Sequence, residues 1–196
     1  MSQKIKPFFS CLRGIVFLSS LFLLSGATFA STDGNQRFTC ETFNGEWTVM
    51  YYPPSQSSRA YPWAVPNQLG GGWTSDVRCR EISQRLELYR LDGLLELQTS
   101  IENGQETICV TTQKNPSCRI VLTVPPGQNA AITLELVFKN LVLADSGQPT
   151  LGINTFTGDN FFQQLFNLSA VEAAPSFNIN LLPFLHPADG GTGTQL

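Results

Sequence analysis

The chain has 196 residues, 42% of them hydrophobic, with 12 basic and 15 acidic side chains and a net charge of −3. That leaves room for one modest domain. Lys4, Lys6 and Arg13 all lie near the start, so the remainder is more acidic still. A chain of this balance lacks the basic face that nucleic acid or an anionic lipid surface demands.

Residues 1–30 have the layout of an export signal. Lys4, Lys6 and Arg13 make a positive segment, Ile15 to Leu24 an apolar core, and Thr28 and Ala30 a small-residue cleavage site before Ser31. The apolar core is too short for a membrane-spanning helix, which needs roughly 20 residues. Cys11 precedes that core and is discarded with it. The mature protein is expected in the periplasm, the outer envelope or outside the cell. Four cysteines remain: Cys40, Cys79, Cys109 and Cys118. An even number in a small exported domain implies disulfides, and four cysteines allow three pairings. They form no CxxC pair, which argues against a thiolate zinc site.

Residues 36–52 read as a β-hairpin turning at Asn44-Gly45, because a two-residue turn of this kind needs positive φ at both positions. Alternation places Phe38, Cys40, Trp47, Val49 and Tyr51 on one face. Residues 53–73 are expected to be irregular, interrupted by Pro53, Pro54, Pro62 and Pro66 and ending in Gly70-Gly71-Gly72. Tyr61 to Val65 can supply a short edge strand. Tyr61, Trp63 and Trp73 form the candidate binding surface of this loop, with burial over one end of the core as the competing role for its aromatics.

Residues 75–91 form the first expected helix, capped at Ser75, with Val77, Ile82, Leu86 and Tyr89 as its apolar stripe. The arginines of this stretch fall mostly off that stripe, on a solvated face. A three-strand meander follows over 94–124, its first turn at Asn103-Gly104, with Leu97 opposite Val110 and Thr99 opposite Ile108. Leu95 and Ile101 complete its core face. A second turn centred on Gln113-Lys114 sets Cys109 directly opposite Cys118, within disulfide reach. Strict pairing then turns Ile120 and Leu122 away from the core face. A bulge near Pro116 would restore them; cover on both faces is the alternative. Residues 129–144 read as the second helix, with Ile132, Leu136, Val137 and Leu143 apolar and Lys139 and Asn140 polar. From 146 to 196 charge nearly vanishes and phenylalanine recurs. This stretch reads as a largely irregular tail with a short helix over 159–172, a disordered end and a weak partner-docking role.

Little here points to catalysis. The single histidine, His186, lies in a Pro-flanked segment without preorganised partners. Gly70-Gly71-Gly72 lacks the lysine of a phosphate loop. Glu41, Glu46, Glu96 and Glu106 sit on expected strands and point mainly to solvent.

The frame "RFTC", "RCREISQRLELY", "DGLLEL", "NGQETICV" and "SCRIVLTVPPGQN", over about residues 36–144, resembles the circadian oscillating protein family of cyanobacteria. The resemblance implies an exported protein associated with membranes or the cell exterior, and it brings no catalytic residues. The loop over 51–73 and the long tail depart from the family pattern.

The sequence is thus expected to fold as one α+β domain over 31–145: hairpin, helix, three-stranded antiparallel meander, second helix. It is bridged by Cys40–Cys79 and Cys109–Cys118. The expected function is that of an exported, non-enzymatic interaction or structural protein without cofactor or metal. An envelope protein or membrane component is the expected partner; nucleic acid, nucleotide or small-molecule ligands are not. The alternative is a carbohydrate-binding module or hydrolase built on the Trp63/Trp73 loop and a carboxylate.

Overall fold

The computed structural model describes residues 35–154 and 178–195. The expected export signal over 1–30 and the expected helix over 159–172 lie outside the described residues. The domain is α+β, with two disulfides, two helices and two sheets.

Strands β1 (Phe38–Phe43) and β2 (Glu46–Tyr51) form the first hairpin. Asn44 and Gly45 have φ of 51° and 83°, and the register pairs Phe38 with Tyr51 and Cys40 with Val49, as the turn dictates. Trp47 lies near the turn and is exposed, while Thr48 and Met50 on the opposite face are buried. Both faces of β2 are covered at its end: Gly152 lies against Thr48, and the first helix packs against the hairpin. Strand β3 (Tyr61–Val65) pairs antiparallel with β2 and is no edge; its far side takes a two-residue parallel strand from the tail.

Helix α1 (Ser75–Arg90) is capped one residue earlier than expected, because Thr74 and not Ser75 is the N-cap. It buries Cys79, Ile82 and Leu86. The bridge from Cys79 to Cys40 ties it to β1, with 5.4 Å between the Cα atoms. Arg78 is buried, which corrects the solvated-face reading at that residue, whereas Arg80 and Arg85 keep to the solvated side; Arg90, beyond that run, is buried too.

Strands β4 (Leu94–Glu102) and β5 (Gln105–Thr112) pair as expected, Leu97 with Val110 and Thr99 with Ile108. A register shift between Leu94 and Glu96 puts Leu94 in the core in place of Leu95, and Ile101 near the turn is exposed. Strand β6 (Arg119–Thr123) differs more from expectation. Cys109 pairs with Ile120 and Ile108 with Leu122, so Val121 is the extra residue of a bulge inside β6, away from Pro116. That extra residue lets adjacent Val121 and Leu122 both be buried. Cys118 is therefore diagonal to Cys109, yet their Cα atoms are 5.4 Å apart and the bridge forms.

Helix α2 (Ala130–Asp145) begins at Asn129, whose side chain accepts the Ile132 N–H. It buries Leu134, Leu136, Val137, Leu141 and Ala144. Asn140 is also buried, because its Nδ2 donates to the carbonyls of Trp63 at 2.9 Å and Leu151 at 2.7 Å. It fastens β3 and the segment after α2 to the helix.

The tail is part of the fold at both of its described ends. Strand β7 (Ile153–Asn154) joins β3, and β8 (Asn178–Asn180) adds to the outer edge of β4, with Leu97 opposite Ile179. Leu181 and Leu185 are buried, and Phe184 meets Phe138 edge to face. The expectation of a disordered end is corrected for 178–195: apolar anchors and one buried carboxylate, Asp189, hold it down. The side chain of Asp189 takes Arg37 at 3.2 Å and Arg90 at 3.1 Å. Arg90 also pairs with Glu87 at 2.9 Å, and Glu87 accepts the N–H groups of Arg37 and Phe38. His186 accepts the Ala188 N–H through Nδ1 and caps this last turn. No described helix is long and apolar enough to cross a membrane.

Candidate functional site

The glycine run before α1 builds a defined turn. Gly70, Gly71 and Gly72 have φ of 81°, 58° and 86°, values that L side chains adopt only at a cost. The turn is closed by Leu69 N–H to Trp73 O and Trp73 N–H to Gly70 O, both 2.9 Å. It delivers Trp73 to the surface beside the first turns of α1, where it is 44% exposed.

A groove of about 350 Å³ opens between this turn, α1 and β6. Trp73 stands at it, and half-buried Leu69 and Ile120 give it apolar surface above buried Ile82 and Leu122. Its charged residues are Arg78, Glu81 and Arg85. Glu81 and Arg85 pair with each other at 3.4 Å across one helical turn. Arg78 is different. It is 3% exposed, and its guanidinium donates to the carbonyls of Asn67 and Thr123, the latter at 2.8 Å. Among the described residues it forms no ion pair. Burial alone lowers it to about 10 from its usual value, with no acidic group offsetting the loss of water.

The sequence-predicted surface is only partly assembled. Trp73 is exposed, but Trp63 is 2% exposed and packs edge to face on Phe38, which in turn stacks on Tyr51. Tyr61 is buried too, with its hydroxyl donating to Gln56 at 2.8 Å. The Tyr61–Trp63–Trp73 platform is therefore corrected: β3 is an inner strand, so Tyr61 and Trp63 serve the core and Trp73 alone reaches solvent. Arg78 was missed because a cysteine-flanked arginine on a helix carries no local mark of burial. Of the strand carboxylates, Glu41 accepts from Thr39 and from Tyr52 at 2.7 Å, and Glu96 accepts from Gln98 at 2.8 Å. Burial, followed by the Glu41 contact, pushes the Tyr52 hydroxyl up to about 12. Among the described residues no cluster of ligating side chains could hold a metal ion.

The family model described as Circadian oscillating protein COP23 matches residues 37–186. The chain belongs to this family. The match spans both disulfides, the groove, the loop over 51–73 and the tail as far as His186, so the family frame takes in the two regions that the sequence reading had set outside it. No curated protein and no solved structure matches the chain. Membership of the COP23 family brings no catalytic residue to the groove. The two disulfides point to an oxidising, exported environment.

Proposed function

We propose that this chain is an exported protein of the cell envelope that works by binding a partner and catalyses no reaction of its own. The observation that carries the reading is the groove. It sets an exposed tryptophan beside a buried, uncompensated guanidinium, a combination that costs stability and suits recognition. Its one acidic lining residue, Glu81, is engaged by Arg85 and is poorly placed as a general acid or base. The residue 1–30 layout and the disulfides support export and signal cleavage. Burial of Trp63 counts against the carbohydrate-module alternative, which needs a second exposed ring.

Two measurements test this. The unreduced protein from its own host is expected to have the mass of Ser31 to Leu196 less four hydrogens, and to lie in the envelope or outside the cell. Retention of residues 1–30, or free thiols, refutes export with cleavage and bridging. Trp73→Ala is expected to fold normally and to leave the envelope fraction. Unchanged fractionation of that variant removes the groove as the contact site.

A further inference from the structure

The groove carries more information than an apolar patch would, because its electrostatics are unbalanced. Nη1 and Nη2 of Arg78 each donate to one carbonyl, but a carbonyl offers only part of a negative charge. A buried cation without a counter-ion is among the costlier arrangements in a protein, and structural arginines at this depth are normally paired. Arg37 and Arg90 of this same domain illustrate the normal solution, since both meet Asp189. Glu81 and Arg85 cancel each other, so the groove is left with one positive charge.

The rest of the lining limits what could supply the missing anion. A polyanion would meet Glu81 and a chain that is net acidic. A neutral sugar would leave Arg78 unmatched. The part-exposed Leu69 and Ile120, with the Trp73 ring beside them, ask for a flat hydrophobic body. About 350 Å³ lies at the small end of ligand pockets, which run from roughly 300 to 1,000 Å³.

We infer that this groove binds a small aromatic monocarboxylate, its ring against Trp73, Leu69 and Ile120 and its carboxylate facing the Arg78 guanidinium. The inference rests on the groove being the binding site proposed above, and it departs from the sequence-based expectation that no small ligand is bound. The carboxylate supplies the counter-charge that no described residue gives Arg78; the ring covers the exposed Trp73 and the part-exposed Leu69 and Ile120.

The test uses the mature chain with both bridges intact and calorimetric titration with 2-naphthoate and with its neutral amide, 2-naphthamide. The acid is expected to bind about tenfold more tightly than the amide, a preference that shrinks as salt is added. Trp73→Ala, at an exposed position, is expected to weaken both. Arg78→Gln is expected to abolish the preference for the acid; because Arg78 also holds two carbonyls, this variant is scored only where it unfolds cooperatively. The acid–amide comparison on the unaltered chain decides independently of any variant. Equal affinities, or no binding of either compound at millimolar concentration, overturn the inference. If they bind equally while Trp73→Ala still changes fractionation, the groove remains the contact site and only the ligand class falls. If fractionation is also unchanged, both readings fall together.

Discussion

Replacing Asp145 by asparagine is expected to stabilise the protein above neutral pH and to flatten its pH dependence. Asp145 is the last residue of α2 and is 6% exposed. Its Oδ2 accepts the Tyr51 hydroxyl at 3.1 Å, while Oδ1 is buried with no hydrogen-bond partner. A carboxylate at a helix C-terminus also faces the negative end of the helix dipole. Burial, chiefly, with a smaller push from the charge of Asp189, raises its pKa from 3.8 to about 7, against the lowering effects of Tyr51 and Arg37. The folded state therefore keeps a proton between about pH 4 and pH 7 that the unfolded chain has released. Stability from this group is greatest below the unfolded value and falls as pH rises toward the folded value. With those two values, linkage gives a loss of about 2 to 3 kcal/mol between pH 5 and pH 8. Asparagine keeps the shape and an acceptor for Tyr51 without the charge. Guanidinium unfolding of both proteins at pH 5 and pH 8 isolates the effect, because all other titrating groups cancel in the difference. The variant is expected to gain about 2 to 3 kcal/mol on the wild type across that interval. A gain that is absent, or that runs the other way, refutes a protonated Asp145 in the folded state.

Asp189→Asn removes the charge that holds Arg37 and Arg90, both buried, and is expected to cost about 3 kcal/mol in chemical unfolding. A loss under about 1 kcal/mol would show that water or Glu87 takes over. The Cys79→Ser change opens a loop of 39 residues and Cys118→Ser one of 9, so chain entropy gives about 4 and about 3 kcal/mol respectively. Cys79→Ser is thus expected to melt lower, and equal melting temperatures reject that ordering. Asn140→Ala strands two carbonyls, those of Trp63 and Leu151, and is expected to cost about 2 kcal/mol. Hydrogen exchange in β3 is expected to accelerate in this variant; unchanged protection there argues that Asn140 does not fasten the strand.

The features legible in the sequence are those fixed by a few adjacent residues. Asn44-Gly45 and Asn103-Gly104 each set a turn, and with it the register of a whole hairpin. Asn129 starts α2 with its own side chain. The Cys109–Cys118 bridge was legible although the two are diagonal and not opposite, because a diagonal pair beside a tight turn is still within disulfide reach. What escaped depends on partners far along the chain. Trp63 lies in a Pro-interrupted stretch, and its burial is decided by Phe38 and by α2 through Asn140. The bulge at Val121 trades one residue of register for two buried side chains, a choice that alternation alone does not make. Arg78 and Arg90 look like any helix-surface arginines until Thr123 and Asp189 are brought to them. The candidate groove was legible only through Trp73, for the same reason.

The Asp189 cluster also sets an order of events for the nascent chain. Arg37 is translated 152 residues before its counter-charge. At roughly 5 to 20 residues per second, that is a wait of about 8 to 30 s. Through that interval the domain is missing the carboxylate that makes two guanidiniums tolerable inside it, and the strand that completes the β4 edge. The described fold is thereby incomplete until residues 178–195 have been made. Until then Arg37 and Arg90 lack the carboxylate that joins them, so a chain cut short before Asp189 is expected to leave both guanidiniums in water.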